Sequence, residues 1–440
     1  MDLNRRTLLT AGGAGLAAAA LGSTAAAASP LAATTGAPPG VPGRGRPGVI
    51  TGAEVWASRG WSDLSGYRVG VISNPTGILS SGAHIVDDMW ASGNVTIAGV
   101  FGPEHGFRGS AQAGEAEPVT TDPRTGVTVY DAYGARLAKF KSMMQEADVE
   151  VVVFDIQDVG ARFYTYIWTM WSAMCAAAQL GLRFVVLDRP NPNGGSAAGP
   201  MLFPGYESGV GQRYITLQHG MTVGELARYF DEHFLPDDAG ATLGDLLEVV
   251  ELKHWNPGAR WDSTGLPWVP PSPNMPTPDT AINYPGTCLF EGTAAAEGRG
   301  TTRPFELVGA PYIDYHWTDD LNAAGLPGVT FREAYFVPTF GKFTRQTCGG
   351  VQPLVTSPTE YDALRTGITM ITLLKARYPE FQWRGGGTSD GFINLLFGSD
   401  RCRVMVDAGA SADDIVAVYQ DELADFKQLR EPHLLYGGRR

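Results

Sequence analysis

Short apolar segments alternate with helix-like segments over residues 67–188, and this alternation constrains the fold more than any other feature of the 440-residue chain. The predicted strands are 67–73, 96–101, 127–130, 151–154 and 184–188. The predicted helices are 84–92, 135–146 and 166–179. Apolar strands that alternate with helices are typical of parallel βαβ units. We therefore predict an α/β protein built on an open, doubly wound parallel sheet flanked by helices.

Polar side chains follow these strands at the points where the strands end. They are Asn74, Glu104, Asp155 with Asp158, and Asp188 with Arg189. Because ligands of open α/β sheets bind at the carboxyl ends of the strands, this placement predicts a site at that edge. Taken singly, Asp155 and Asp188 fit a role as helix-capping acids equally well.

The loop after the second strand, Gly102–Gly109, combines an acid, an imidazole and a guanidinium with three glycines. Glu104, His105 and Arg108 supply groups for proton transfer and anion binding. Glycine allows the backbone to approach a ligand closely. A polar surface turn with ordinary charges is the alternative interpretation.

A second polar concentration lies at 284–306, which contains Glu291-Gly292-Thr293 and the run 297–306, where Glu297, Arg299 and Arg303 stand among glycines and threonines. Two guanidinium groups in such a loop suit an anionic or polyhydroxylated ligand. The alternative is a surface loop held by ion pairs. Just before it, residues 261–277 are so rich in proline and tryptophan that helices and interior strands are not expected. That segment is either a rigid connector or a lip whose indoles stack on a sugar ring.

The rest of the chain predicts a second domain. Thr222 and Glu225 have the spacing of a capping box at the start of a helix. Further helices are predicted at 360–377 and 412–429. A chain of this length accommodates two domains. We assign 49–255 to the doubly wound domain and 256–440 to a smaller α/β (α+β) domain.

The composition of the chain and the motifs that it lacks argue against several classes of function. The formal charge of −13 argues against nucleic acid or an anionic membrane surface as the main partner. No GxGxxG follows a predicted strand and no Walker loop occurs, so a nucleotide cofactor is not expected. HExxH does not occur in the sequence, and no GxSxG lies between a predicted strand and a predicted helix. The four cysteines form no CxxC pair, although one bridge between Cys288 and Cys348 is compatible with the sequence.

The N-terminus has the pattern of an export signal. The pair Arg5-Arg6 precedes an apolar stretch rich in alanine, glycine and leucine that ends in small residues at 25–28. We predict a twin-arginine signal peptide over 1–28, a Pro/Gly/Ala-rich linker over 29–48, and an extracellular or cell-envelope location. An uncleaved helical anchor is the alternative.

The polar clusters combine carboxylates with arginines, and the sequence shows no compact metal-ligand spacing. This combination favours acid/base catalysis on a bond between polar groups. Glycoside hydrolysis is the commonest chemistry of this kind. One acid would donate a proton to the leaving oxygen, and a second would activate water or attack the sugar carbon. Two alternatives stay open, namely a non-catalytic protein that binds cell-wall glycan and a metal-dependent hydrolase.

Seven ordered motifs give the chain a resemblance to the exo-β-N-acetylmuramidase (NamZ) family, formerly the domain of unknown function DUF1343. The motifs are FGPEHGFRG at 101–109, FDIQDVGARFYTY at 154–166, LDRPNPNGG at 187–195, HGMTVGELA at 219–227, PPSPNMPT at 270–277, YPGTCLFEGT at 284–293 and EGRGTTRPFE at 297–306. The resemblance extends from about residue 52 to the C-terminus. It implies a Rossmann-like domain, a smaller C-terminal domain and an active site in the cleft. It also implies an exported enzyme that removes N-acetylmuramic acid from the non-reducing end of peptidoglycan fragments.

The resemblance also implies roles for individual residues. Because the sequence lacks metal and nucleotide motifs, neither a metal nor a cofactor is expected. Glu104 is the first choice for the key catalytic glutamate, with Asp158 and Glu297 as candidates for the second acid. The implied substrate-binding residues are His105, Arg108, Arg162, Tyr164, Arg189, Asn191, Asn274, Arg299 and Arg303. One of the arginines at 162, 299 and 303 would bind the lactyl carboxylate of muramic acid and so reject N-acetylglucosamine, which lacks that group.

One departure from the family pattern concerns activity. Many members of the family carry Val-Glu-Gly-Pro shortly after the LDRPNP motif, whereas this chain has Ala197-Ala198-Gly199-Pro200. If that glutamate were the second catalytic acid, this chain would be altered or inactive.

Overall fold

A seven-stranded sheet carries the N-terminal half of the molecule. The computed structural model describes residues 48–109, 118–385, 388 and 391–437. Its strands are β1 (Arg68–Ser73), β2 (Thr96–Gly102), β3 (Thr120–Thr121), β4 (Thr128–Asp131), β5 (Val151–Asp155), β6 (Arg183–Leu187), β7 (Ala198–Met201), β8 (Thr216–Gln218), β9 (Leu247–Val250), β10 (Val308–Ala310), β11 (Val329–Phe336) and β12 (Cys348–Val355). The large sheet has the order β3-β4-β2-β1-β5-β6-β9, and only the β3–β4 pair is antiparallel.

Helices cover both faces of this sheet. The α-helices are α1 (Gly52–Ala57), α2 (Ile85–Ser92), α3 (Leu137–Glu146), α4 (Tyr166–Leu180), α5 (Val223–His233), α6 (Leu235–Ala239), α7 (Pro278–Thr287), α8 (Tyr315–Ala323), α9 (Ala363–Arg377), α10 (Phe392–Phe397), α11 (Arg401–Asp407), α12 (Ala412–Ala417) and α13 (Gln420–Arg430). Because β1 lies inside the sheet with successive strands added on both sides, the predicted doubly wound α/β fold is confirmed.

Helices cover both faces of the sheet because its strands carry apolar side chains on both faces. Val69 and Val71 of β1 pack with Trp56 of α1 in one core cluster. Ile72 of β1 and Phe154 of β5 belong to the cluster on the other face. All of these side chains are buried, and burial of each contributes roughly 1.5–3 kcal/mol. A continuous apolar strand is therefore stable only between two layers of helices.

The C-terminal part adds a three-stranded antiparallel sheet of order β10-β12-β11, against which α7 and α8 pack. Phe290 and Trp317 of this part belong to the same core cluster as Phe154 of the large sheet. The described residues belong to one compact unit. The division into domains 49–255 and 256–440 stays a prediction.

Three local predictions have clear outcomes. Thr222 caps α5, and it exchanges hydrogen bonds with Glu225 as a capping box requires. The prediction of one helix over 412–429 is wrong, because the chain forms α12 and α13 with a break at Val418 and Tyr419. The bridge between Cys288 and Cys348 is not formed, since all four cysteines are free, buried thiols.

The predicted signal peptide (1–28) and all but the last residue of the predicted linker (29–48) lie outside the described residues. Within the described ranges, no helix is long and apolar enough to cross a bilayer.

Candidate active site

The loop after β2 borders a cavity of about 180 Å³, called here the Glu104 cavity. Its lining residues come from the loop after β2, the start of α4, the loop between β7 and β8, α7 with its flanking segments, and α10. They are Glu104, His105, Phe163, Tyr164, Thr165, Tyr166, Val210, Ser272, Tyr284, Cys288, Glu291, Arg299, Phe305 and Leu396. The cavity therefore lies beside the carboxyl end of β2, and the C-terminal part of the chain also lines it. Among the polar residues that follow the predicted strands, Glu104 is the one that lines this cavity.

Unusual backbone conformations concentrate at this cavity. His105, Thr165 and Phe305 line it with φ angles of +71°, +79° and +58°. The left-handed region is unfavourable for residues with a Cβ atom, and most of all for a β-branched threonine. Eight non-glycine residues of the described ranges have positive φ, so three at one small cavity is a marked concentration. Such strained residues persist where the surrounding structure holds them, and they cluster at active sites.

The start of α4 forms one wall of the cavity. The Thr165 hydroxyl lies 3.5 Å from Glu104 Oε2, and the Tyr166 hydroxyl donates to the Pro271 carbonyl at 2.6 Å. The Tyr164 ring packs edge-on against the rings of Tyr166 and Tyr284, with centroids 5.4 and 5.5 Å away. Burial raises the pKa values of Tyr164 and Tyr166, so both phenols stay protonated at neutral pH and keep their O–H donors.

An ion pair forms the opposite wall. Arg299 Nη2 lies 2.6 Å from Glu291 Oε1, and Arg299 Nε lies 3.1 Å from the same oxygen. Burial alone would lower the pKa of Arg299, but the Glu291 carboxylate outweighs burial and raises it. Glu104 and Glu291 are thus two carboxylates on one cavity, and a permanently charged guanidinium lies beside the second.

Behind that wall lies a larger, open cavity of about 1120 Å³, which Glu291 and Arg299 also line. Glu297 is buried at this second cavity, with Oε2 2.8 Å from Lys342 Nζ and Oε1 3.5 Å from Arg299 Nε. Asn274 lines the same cavity. The structure therefore brings Glu297 and Asn274 to the neighbouring cavity.

Asp158 lies below the surface of the site. Its Oδ2 accepts the Gly160 amide at 2.6 Å and lies 3.3 Å from Nε2 of the buried His219. Asp158 is buried and is not among the residues that line the Glu104 cavity. These contacts position the loop that leads to α4.

Arg162 is fully buried in the structure. Its guanidinium donates to the main-chain carbonyls of Pro200, Ile215 and Leu396 at 3.3, 3.0 and 2.8 Å. Burial lowers its pKa to about 9. Arg162 therefore connects three distant segments of backbone from inside the protein.

Four other predicted binding residues do not line the Glu104 cavity and instead contact other groups of the protein. They are Arg108, Arg189, Asn191 and Arg303. Arg108 forms ion pairs with Asp87 and Asp122 at 2.8 and 3.0 Å. Arg303 pairs with Glu306 at 3.0 Å, and its side chain is 47% exposed. Arg189 pairs with Asp155, and Asn191 donates to the Met221 carbonyl at 3.0 Å.

Asp188 acts as a capping acid, which was the alternative to a site role. Its carboxylate accepts the Gly224 amide at 2.8 Å and the Thr222 hydroxyl at 2.8 Å at the start of α5. It also accepts the Tyr436 hydroxyl at 2.6 Å. Burial raises the pKa of Asp188 to about 7.

The segment 261–277 reaches the Glu104 cavity, but not through its tryptophans. Trp261 is buried and packs edge-on against Trp268 with ring centroids 4.9 Å apart, so these two indoles pack against protein. Ser272 of the same segment lines the Glu104 cavity.

The sequence placed Glu291 in the second polar concentration without giving it a site role, and it did not indicate Thr165, Tyr166 and Lys342. Three of them lie within the quoted motifs, so proximity to motif residues was an available signal. No such signal marked Lys342, because it is a single lysine in a polar loop. The fold brings this lysine to Glu297. Ala198 begins β7, where it pairs with Gln218, and it does not line the Glu104 cavity.

Comparison with known proteins gives one consistent result. The family profiles described as exo-beta-N-acetylmuramidase NamZ, N-terminal and C-terminal, match residues 69–279 and 282–436. The peptidoglycan beta-N-acetylmuramidase NamZ of Bacillus subtilis (strain 168) is 43% identical over 394 residues, which are 89% of this chain and 92% of that protein.

Two solved structures of DUF1343 family proteins from Bacteroides fragilis are also similar, each at 31% identity. Their TM-scores are 0.79 and 0.67, and the matches cover 89% of this chain and 100% and 99% of the respective chains.

Proposed function

The chain belongs to the exo-β-N-acetylmuramidase NamZ family, and we propose that it is a glycosidase that releases N-acetylmuramic acid from the non-reducing end of peptidoglycan fragments. The 43% identity to a peptidoglycan beta-N-acetylmuramidase supports this reaction class. One observation of the structure carries the proposal. Glu104 of the PEHG loop shares a small cavity with a second carboxylate and a guanidinium.

Glu104 is proposed as the general acid that protonates the leaving glycosidic oxygen. It follows a buried strand, and its loop includes the strained His105, so the position of the carboxyl group is set by the sheet. The Thr165 hydroxyl at 3.5 Å approaches one of its oxygens. A positioned acid of this kind typically contributes about 10²–10⁴-fold to the rate.

Glu291 is proposed as the second carboxylate, in addition to the two candidates from the sequence. A glycosidase needs both carboxyl groups beside the same sugar, and Glu291 lines the Glu104 cavity whereas Glu297 lines the larger one. Arg299 holds Glu291 by two hydrogen bonds. Asp158, with its contacts to Gly160 and His219, is better suited to positioning the loop before α4.

The size of the cavity supports exo action. Pockets for drug-sized ligands measure about 300–1,000 Å³, so a cavity of about 180 Å³ suits one terminal sugar better than the interior of a glycan chain. The rings of Tyr164, Tyr284 and Phe305 supply apolar surface for such a sugar.

Arg299 is proposed to recognise the lactyl carboxylate of muramic acid. Arg299 is the arginine that lines the Glu104 cavity, whereas Arg162 binds main-chain carbonyls and Arg303 pairs with Glu306. A guanidinium binds a carboxylate through charge-assisted hydrogen bonds and gives no such contact to N-acetylglucosamine.

A role in cell-wall turnover would require export. The twin-arginine pattern around Arg5 and Arg6 supports export of this chain to the cell envelope or medium. We also retain the division into a catalytic domain over 49–255 and a C-terminal domain over 256–440.

Incubation with purified, peptide-free peptidoglycan strands tests the proposal. We expect free N-acetylmuramic acid as the first product in chromatography, with the strands shortened from one end and activity unchanged by a chelator. Binding to the strands without product would support the glycan-binding alternative. Activity abolished by the chelator would support a metal-dependent hydrolase.

A further inference from the structure

A cluster of metal-ligating side chains lies where the C-terminal segment meets α5. His233 is the last residue of α5, and His433 ends a 3-10 helix at Glu431–His433. Their Nε2 atoms are 3.2 Å apart. Glu232 Oε2 lies 3.8 Å from His433 Nε2, and the ligand atoms of all three residues are within 4.8 Å of one another. This is the one such group in the described ranges.

The geometry suits a tetrahedral ion. Zn²⁺ binds imidazole nitrogen at about 2.0–2.1 Å, and two such ligands at the tetrahedral angle have nitrogens about 3.3 Å apart. An N–H···N hydrogen bond between two imidazoles would account for the short separation of the rings, but it would not require a carboxylate oxygen beside them. Two imidazoles and a carboxylate form a typical three-residue zinc set, with water as the fourth ligand.

The rings are held in place by packing. Tyr229, one turn before His233 on α5, lies with its ring centroid 4.4 Å from that of His233 and 5.3 Å from that of His433. Phe426 of α13 packs edge-on against the Tyr229 ring, with centroids 5.8 Å apart. Arg228 donates to the His433 carbonyl at 3.4 Å, which fixes the backbone of the second ligand. A metal would therefore bind preoriented ligands.

We infer that Glu232, His233 and His433 form a Zn²⁺ site that fastens the C-terminal segment to α5. The same segment is held at the other end of α5, where Glu225 accepts the amides of Leu435 and Tyr436 at 2.7 and 3.3 Å. None of the three proposed ligands lines the Glu104 cavity. The proposed zinc site is therefore separate from the Glu104 cavity, and it is independent of the proposed glycosidase chemistry.

The test uses the full chain purified without a histidine tag, stripped with a chelator and titrated with ZnCl₂. We expect one Zn²⁺ per chain by calorimetry and elemental analysis, and a melting temperature a few degrees higher with the metal, because an ion that binds only the folded state stabilises it. Co²⁺ in place of Zn²⁺ should give the visible bands of a tetrahedral site.

His233→Gln is the main variant because that ring is only partly buried, and His254→Gln is a control at an exposed histidine outside the cluster. The first should lose metal binding and the metal-dependent rise in melting temperature, while the control keeps both. Glu232→Gln, at an exposed side chain, should weaken binding without lowering the metal-free melting temperature. Equal Zn²⁺ binding in His233→Gln and wild type, or no binding by the wild type, would overturn the inference.

Discussion

Arg299 and Glu291 form an ion pair, 2.6 Å between Nη2 and Oε1, that separates the Glu104 cavity from the larger cavity beside it. The two residues come from consecutive motifs, yet each contributes a different function to the proposed site. Glu291 supplies a second carboxylate facing the same space as Glu104. Arg299 supplies the positive charge that an anionic sugar requires.

Arg299→Gln should impair recognition of muramic acid more than catalysis in general. A charge-assisted hydrogen bond contributes about 1.5–3 kcal/mol, so KM for an N-acetylmuramide should rise roughly 10- to 100-fold. KM for the matching glucosaminide should change little, because that sugar has no lactyl carboxylate. Steady-state kinetics on both sugars measure the difference, with Arg303→Gln as a control at a half-exposed arginine. Equal effects on the two sugars would refute the assignment.

Arg162→Lys should lower stability without changing substrate affinity. Lysine lacks the fork that reaches the carbonyls of Pro200, Ile215 and Leu396. Loss of such contacts in a buried site should reduce the free energy of unfolding by about 2–4 kcal/mol. Urea denaturation measures this change, and Arg59→Lys at an exposed ion pair serves as a control with an effect below about 1 kcal/mol. A large rise in KM at unchanged stability would instead indicate a binding role.

Stability should depend on pH through Asp188. Its pKa is raised to about 7 in the folded protein by burial, above the ordinary value of 3.8 in the unfolded chain. The folded state then holds a proton that the unfolded state releases, so this contribution is complete below about pH 4 and is lost as the pH rises through about 7. Asp188→Asn, which cannot ionise, should flatten the dependence in thermal melts between these pH values. An unchanged slope of melting temperature against pH in Asp188→Asn would show that other groups cause the pH dependence.

The sheet was predictable because its strands are encoded locally. Continuous apolar segments such as Val151–Asp155 are stable only when both faces are covered, and this restricts them to a parallel sheet. The break between α12 and α13 was not predictable, since neither glycine nor proline occurs there. Tyr419 is buried and packs against Phe397 at 6.2 Å, so tertiary contacts end the helix.

The proposed site was predictable in part. Glu104 and Arg299 stand in loops whose residue types indicated ligand binding, and both line the Glu104 cavity. The position of Arg162 was not accessible from sequence, because a guanidinium that binds three distant carbonyls looks like any other motif arginine. The pairing of His233 with His433 was also hidden, since 200 residues separate them.

Hydrolysis of a chromogenic N-acetylmuramide by wild type and Glu104→Gln tests the central proposal most directly. Glutamine keeps the size of the side chain but cannot donate the proton, so kcat/KM should fall at least about 100-fold with the melting temperature unchanged. Glu251→Gln, at an exposed glutamate outside the Glu104 cavity, should retain full activity. Undiminished release of the chromophore by a folded Glu104→Gln variant would contradict the account.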